Sequence, residues 1–187
     1  MGVGAAPSAA GEADALYCAP PPHFRDPNQA LMDSPRIVEG GITARDRKVA
    51  VVAARFNDFI VSSLLKGATA SWMERGGEAG DLFVARVPGA FELPVAARKL
   101  AASGRYDAVV ALGCVIRGDT PHFDYVAGEC ARGLQLASLE TGIPIVFGVL
   151  TVETVDQALE RAATTAGNKG GESMDTALEM ASLMAQL

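Results

Sequence analysis

Hydrophobic positions in this chain fall into four short runs, separated by longer segments in which apolar residues recur at helical spacing. The runs predict buried β-strands, because a strand of a parallel sheet is covered on both faces and needs apolar side chains on both. The four predicted core strands are 48–54 (KVAVVAA), 82–87 (LFVARV), a run opening at 109–112 (VVAL) and 144–150 (PIVFGVL). A further short candidate strand, 36–39 (RIVE), stands apart from the others, and we expect it to pair outside its own sheet.

The segments between the runs predict α-helices with recognisable starts. Asn57 or Asp58 is expected to cap the first helix, which runs to about Arg75, and a second helix covers 90–103. Thr120 and Pro121 are expected to serve as N-cap and first helical position of the third, after a loop bracketed by Gly113 and Gly118. The first helix is expected to bury Phe59, Leu64, Leu65, Ala68 and Trp72.

Two more helices complete the pattern. A capping box, Thr154-x-x-Gln157, predicts a helix that is interrupted at 167–171, and a last helix runs to the end of the chain. Strands and helices therefore alternate as βαβαβαβα, which predicts a parallel sheet with helices on both faces.

Residues 1–34 differ from the rest of the chain. They are dominated by Ala, Gly and Pro without an apolar period, and they lack the basic start and apolar block of a signal peptide. We expect a disordered extension over 1–34, followed by one folded domain over 35–187. No segment approaches the length of a membrane span.

Composition and charge narrow the function classes. The 187 residues are 49% hydrophobic and 20% charged, and the formal net charge is −6. This charge argues against binding to nucleic acid or to an anionic membrane. The three Cys have no metal-ligand spacing, and two of them fall in predicted core elements, so we expect a reducing, cytoplasmic location.

The candidate ligand-binding and catalytic residues lie near the ends of the predicted strands. Residues 55–57 follow the first strand, 89–92 follow the second, 117–122 follow the third, and Phe147 lies on the fourth. Ligands in such sheets bind outside the carboxyl ends of the strands. The aromatic rings, amide and carboxylate suit a planar heterocycle, and the predicted helix start beside His122 suits a phosphate. The alternatives are that Phe56 and Phe147 are core residues, and that His122 is an ordinary surface residue.

Five segments resemble one known family, the 6,7-dimethyl-8-ribityllumazine synthases, which act in the penultimate step of riboflavin synthesis. They occur in order and span essentially all of 36–187: ARFNDFI (54–60), VPGAFELP (87–94), ALGCVIRGDTPHFDYV (111–126), FGVLTVETVDQALERA (147–162) and AGNKG (166–170). The resemblance implies a flavodoxin-like, three-layer αβα sandwich with a four-stranded parallel sheet. It also implies a transferase that condenses 5-amino-6-(D-ribitylamino)uracil with 3,4-dihydroxy-2-butanone 4-phosphate, without metal or organic cofactor.

The resemblance implies a role for each matching residue, with His122 as the catalytic proton-transfer residue. Asp119, Thr120 and Arg161 are expected to bind the butanone phosphate. The pyrimidine substrate is expected to contact a larger group: Phe56, Asn57, Ala90, Phe91, Glu92, Cys114, Val115, Ile116, Phe147 and Lys169. Cys114 stands where many relatives have Ala, and its backbone rather than its thiol is expected to make the contact.

The resemblance also implies a homo-oligomer, because Phe147, Arg161 and Lys169 are expected to reach the site of a neighbouring subunit. We expect pentamers and, from the short break at 167–171 and the segment 35–39, a hollow shell of 60 subunits. Riboflavin synthase is a candidate protein partner.

Two rival functions remain open. One is an archaeal-type riboflavin synthase of the same fold, against which the phosphate-type segment GDTPH and Arg161 argue. The other is a non-catalytic flavin-binding or shell-forming protein.

Overall fold

The computed structural model describes residues 1–2, 35–163 and 167–187. The chain divides into two compact units, Met1–Ile37 and Val38–Leu187, and all the elements below belong to the second. The disorder expected over 1–34 falls, apart from the first two residues, outside the described part. The candidate strand at 36–39 has no strand structure in the single chain.

Four parallel strands form one sheet in the order β2-β1-β3-β4. They are β1 (Val49–Ala54), β2 (Leu82–Val87), β3 (Ala108–Ile116) and β4 (Ile145–Val152). Every residue of β1 is buried, as expected for a central strand covered on both faces. All four core strands are therefore confirmed.

Five helices cover the two faces of the sheet. They are α1 (Asp58–Glu74), α2 (Leu93–Ala101), α3 (His122–Thr141), α4 (Val155–Ala162) and α5 (Lys169–Met184). One apolar cluster joins the sheet to α1, α4 and α5, and a second joins its other face to α2 and α3. The predicted α/β, flavodoxin-like αβα sandwich is thus confirmed. In the described ranges, no helix is long and apolar enough to cross a bilayer.

Several local predictions were wrong, and packing explains each. Phe59 is 58% exposed, because Ile60, Val61 and Leu64 rather than Phe59 face the sheet. Strand β3 continues through Gly113 to Ile116 instead of ending before the glycine. A Cβ at Gly113 would lie 3.1 Å from Leu93 Cδ1, so this glycine serves close packing inside a strand, not a turn.

The helix break predicted at 167–171 lies earlier in the structure, because α4 ends at Ala162 and α5 already begins at Lys169. Asn168 is its N-cap, and the side-chain oxygen accepts hydrogen bonds from the amides of Gly170 (2.8 Å) and Gly171 (3.3 Å). The Asn168 amide group also donates to the carbonyls of Ser63 (3.1 Å) and Ala162 (2.6 Å). One side chain therefore ties the start of α5 to α1 and to the end of α4.

An ion pair secures α5 against α1 further along. Asp175 accepts hydrogen bonds from the Ser71 hydroxyl (2.6 Å) and from Arg75 Nε (3.0 Å) and Nη2 (2.8 Å). The hydrogen bond from Arg75 lowers the pKa of the Asp175 carboxyl below its ordinary value of 3.8. The charged form of Asp175 is therefore favoured by folding.

We predict that Asp175→Asn lowers the free energy of unfolding by about 1 kcal/mol at neutral pH. Because the folded-state pKa is depressed, the charged pair contributes above the ordinary pKa of 3.8, and its contribution is lost as the pH falls through the lowered value. Chemical denaturation at neutral pH and at about pH 2 should therefore show a difference from wild type that disappears in acid. Glu140→Gln, which breaks the more exposed Arg98–Glu140 pair, is the matched control and should change stability less. A difference that persisted unchanged in acid would contradict this account.

Candidate active site

A cleft of about 580 Å³ opens at the carboxyl ends of β1 and β3, beside the first turn of α3. Nine of the fourteen predicted site residues line it, and they come from the end of β3, from the segments after β1, β2 and β3, and from the start of α3. They are Phe56, Ala90, Phe91, Glu92, Cys114, Val115, Ile116, Thr120 and His122. Aromatic and aliphatic side chains dominate the walls, with a few polar groups among them, which is the usual make-up of a small-molecule site.

The ring of Phe56 is 70% exposed at the rim of this cleft. The backbone holds it there, because the amide of Arg55 donates to Val87 O (2.8 Å) and that of Phe56 to Pro88 O (3.0 Å). The core-packing alternative for Phe56 is therefore wrong in the single chain. An exposed ring on a fixed backbone can stack on a planar ligand.

Asn57 is not among the residues that line the cleft. It adopts the left-handed conformation (φ 58°), and its side chain makes no cap for α1, contrary to expectation. The side-chain amide instead donates to the carbonyl of Cys114 at 3.0 Å. Asn57 therefore fastens the turn after β1 to the end of β3.

The thiol of Cys114 is buried beside the cleft. Cys114 is 2% exposed, and burial raises the pKa of its thiol to about 11. A thiol that stays protonated at neutral pH is a poor nucleophile. The backbone carbonyl of Cys114 accepts one hydrogen bond, from Asn57.

The turn after β2 forms another part of the cleft wall. Residues Ala90–Glu92 form a single 3₁₀ turn, and Phe91 is 58% exposed there. A Cβ on Gly89 would lie 3.2 Å from Glu92 Oε2, so the glycine leaves room for this carboxylate to fold back over the turn. The wall thus combines an exposed ring with a hydrogen-bond acceptor.

The loop after β3 leads directly into α3, which begins at His122 with Pro121 as N-cap. No side chain caps this helix end, so the prediction that Thr120 caps it was wrong. Asp119 and Thr120 are exposed beside it, although only Thr120 lines the cleft. Backbone amides in the first turn of a helix lack intrahelical acceptors, and together with the helix dipole they favour an anion.

Three predicted site residues lie elsewhere, in a second pocket of about 410 Å³ along β4 and α5. Phe147, Arg161 and Lys169 all line it, and none of its residues lines the first cleft. Phe147 is 42% exposed on the edge strand, so its core-packing alternative is also wrong. One chain therefore carries two separate groups of candidate ligand-binding residues.

The sequence patterns did not single out two residues in the region of this second pocket. Glu172 lines the pocket, and its carboxylate oxygen lies 2.6 Å from Lys169 Nζ. Asn168 sets the start of α5, and with it the position of Lys169. The i,i+3 spacing of Lys169 and Glu172 was the available signal for the ion pair.

A family model described as 6,7-dimethyl-8-ribityllumazine synthase matches residues 46–185. The matched range contains both pockets and all fourteen candidate residues.

We predict that Asn57→Ala destabilises the chain more than Asn57→Gly does. Both variants lose the bond to Cys114 O, but alanine also has to adopt a left-handed conformation that glycine accepts freely. The expected losses in unfolding free energy are about 2 kcal/mol for alanine and about 1 kcal/mol for glycine. Chemical denaturation of the two variants checks this, and equal losses would mean that the backbone conformation is not strained by a side chain.

Proposed function

The chain belongs to the 6,7-dimethyl-8-ribityllumazine synthase family of riboflavin biosynthesis, and on that premise we propose that it catalyses the lumazine-forming condensation itself. The substrates are 5-amino-6-(D-ribitylamino)uracil and 3,4-dihydroxy-2-butanone 4-phosphate, and the products are 6,7-dimethyl-8-ribityllumazine, phosphate and water. The observation that carries the proposal is the single cleft in which an exposed aromatic ring, an uncapped helix end and a histidine meet.

The pyrimidine is assigned to the side of the cleft next to β1. Phe56 offers a ring face for stacking, and backbone groups at the end of β3, Val115 and Ile116 among them, can meet the polar edge of the heterocycle. The turn Ala90–Glu92 lies next to it, where the Glu92 carboxylate can accept hydrogen bonds from ribityl hydroxyls.

The phosphate is assigned to the start of α3. Free amides of the first turn and the hydroxyl of Thr120 are donors, which is what a phosphate needs. Asp119 carries a negative charge, so any contact that it makes with the phosphate has to come from its backbone amide. The butanone carbonyl would then lie between the phosphate and the stacked pyrimidine, close to His122.

The reaction asks mainly for proton transfers between two well-placed substrates. The pyrimidine amine attacks the butanone carbonyl, and loss of water gives a Schiff base. Phosphate then leaves, the ring closes, and a second water is lost. His122 is the titratable imidazole in the cleft and can move protons at these steps, while holding the two substrates together supplies much of the rate.

A second copy of the chain would complete the site. Phe147, Arg161 and Lys169 lie in a different pocket from His122 within one chain, so they can serve the reaction only if that pocket meets the cleft of a neighbour. Arg161 would then supply the cationic side of the phosphate site, where its planar fork suits phosphate oxygens. We propose a pentamer on this basis, with a 60-subunit shell as the larger assembly.

We predict that the purified chain forms lumazine and phosphate from the two substrates, and that His122→Ala lowers kcat by about 10²–10⁴-fold while substrate affinities change little. Absorbance of the lumazine and release of phosphate measure the reaction. A chain that instead converts lumazine to riboflavin, or that binds flavin without forming lumazine, would contradict the proposed function. An unchanged kcat in the variant would place proton transfer on another group.

We predict that mixing two kinds of impaired subunit restores activity, at low butanone phosphate concentration, if the site is shared. Subunits with Arg161→Ala and subunits with His122→Ala are disassembled and reassembled together, so that some interfaces pair an intact His122 with an intact Arg161. When the butanone phosphate concentration is well below the raised KM, these sites should turn over faster than those of either parent. Arg161→Ala alone should raise the KM of the butanone phosphate by about tenfold to a hundredfold, because only that substrate is anionic.

The controls for this experiment are each variant reassembled alone and light scattering of every mixture. Scattering also measures the particle size, and a pentamer-sized particle at neutral pH would contradict the shell. If confirmed mixed assemblies show only the average of the two parents, Arg161 and His122 of one chain act in the same site.

A further inference from the structure

Arg117 is the first residue after β3, and its guanidinium group contacts three side chains at once. Nη2 and Nη1 donate to Asp124 Oδ1 (3.0 Å) and Oδ2 (3.3 Å). Nε lies 2.9 Å from Glu153 Oε2 and 3.1 Å from Oε1. The central carbon lies 4.0 Å from the centroid of the Phe123 ring.

Two of these partners belong to the first turn of α3. Phe123 and Asp124 follow His122 directly, and this helix end has no side-chain cap of its own. A paired guanidinium–carboxylate contact fixes direction as well as distance, and stacking on Phe123 fixes the plane of the guanidinium. Arg117 thus contacts the turn that carries His122 through two neighbouring side chains.

The third partner anchors the arginine to a different part of the fold. Glu153 lies between β4 and α4, and its backbone amide donates to Gln157 Oε1 at 2.9 Å. The backbone amide of Arg117 donates to Val152 O at 2.9 Å, which extends the β3–β4 ladder. The first turn of α3 is therefore tied to the sheet edge through one side chain.

We propose that Arg117 is a positioning residue of the reaction, which holds the first turn of α3 so that His122 and the free amides face the cleft. Arg117 does not line that cleft, and its side-chain nitrogens are committed to two carboxylates, so it is not a phosphate ligand. The inference rests on the proposed function, because it assigns His122 a part in catalysis.

The kinetic test compares Arg117→Gln, Arg117→Lys and Arg98→Gln in the lumazine assay. Arg117→Gln should lower kcat by about tenfold to a hundredfold, because small displacements of a catalytic group are costly, while the KM of the pyrimidine stays nearly constant. Arg117→Lys should recover part of the lost kcat, since lysine restores the positive charge but not the bidentate contact with Asp124 or the stacking on Phe123.

Arg98→Gln is the matched control. Arg98 Nε lies 2.8 Å from Glu140 Oε2, so this pair also ties α3 to the fold, but at the opposite end of the helix. Loss of the Arg98–Glu140 pair should leave kcat at the wild-type value. Equal losses in the two glutamine variants would mean that any loosening of α3 slows the reaction, and that Arg117 has no specific part in it.

The His122→Ala background shows whether Arg117 acts through His122. In the His122→Ala protein, adding Arg117→Gln should lower kcat by less than about threefold, because the imidazole that Arg117 is proposed to position is already absent. If Arg117→Gln lowered kcat in the His122→Ala background as much as it does in the wild-type chain, the proposal would be overturned. Asp124→Asn should reproduce the Arg117→Gln effect and serves in its place if that variant does not fold; a wild-type kcat in a folded Asp124→Asn protein would also overturn it.

Hydrogen exchange tests the positioning without substrates. Arg117→Gln should speed exchange of the amides at 124–129, which close the first turns of α3, and leave those at 136–141 unchanged, while Arg98→Gln should do the reverse. If the wild-type chain makes no lumazine, the proposed function fails, but the exchange pattern still decides what Arg117 holds. Unchanged exchange at 124–129 in Arg117→Gln would overturn the positioning role.

Discussion

The site depends on the order of the strands. Because the sheet runs β2-β1-β3-β4, the chain leaves the two central strands in opposite directions, and the helices that follow β1 and β3 cover opposite faces. Two neighbouring strand ends whose connections diverge leave a crevice between them, which is where open α/β sheets bind ligands. The cleft lies at this position, with Phe56 just beyond β1 and Cys114–Ile116 at the end of β3.

Polar contacts from the strand ends hold the backbone at the rim of this crevice. An exposed ring such as Phe56 has no core contacts to hold it, so its backbone bonds to Val87 and Pro88 do so instead. Arg86 adds to this by bonding both Ala54 O (3.3 Å) and the carboxylate of Asp58. Rims fixed in this way lose little freedom when a ligand binds, which favours both affinity and alignment.

The second pocket is separated from the cleft by sheet geometry. Phe147 is in register with Ala111, whereas the cleft residues Cys114–Ile116 are in register with Leu150–Val152. Phe147 therefore lies three residues, about 10 Å, back along the sheet from the level of Cys114, the nearest of these cleft residues. It also sits on the edge strand, so its ring belongs to the pocket formed with α5 and not to the rim at which the strand pattern alone had placed it.

The sequence by itself determined the core strands, the helices and the sheet type, because apolar periodicity is a local property of a chain, and its motifs predicted nine residues that line the cleft. It did not determine which helical positions face inward or which polar side chains act as caps, as Phe59, Asn57 and Thr120 illustrate. Asn57 could cap its own helix or bond Cys114, and only the approach of β3 decides between them. The division of the candidate residues between two pockets was likewise decided by the tertiary structure, since strand register and edge position are set by contacts between segments far apart in the chain.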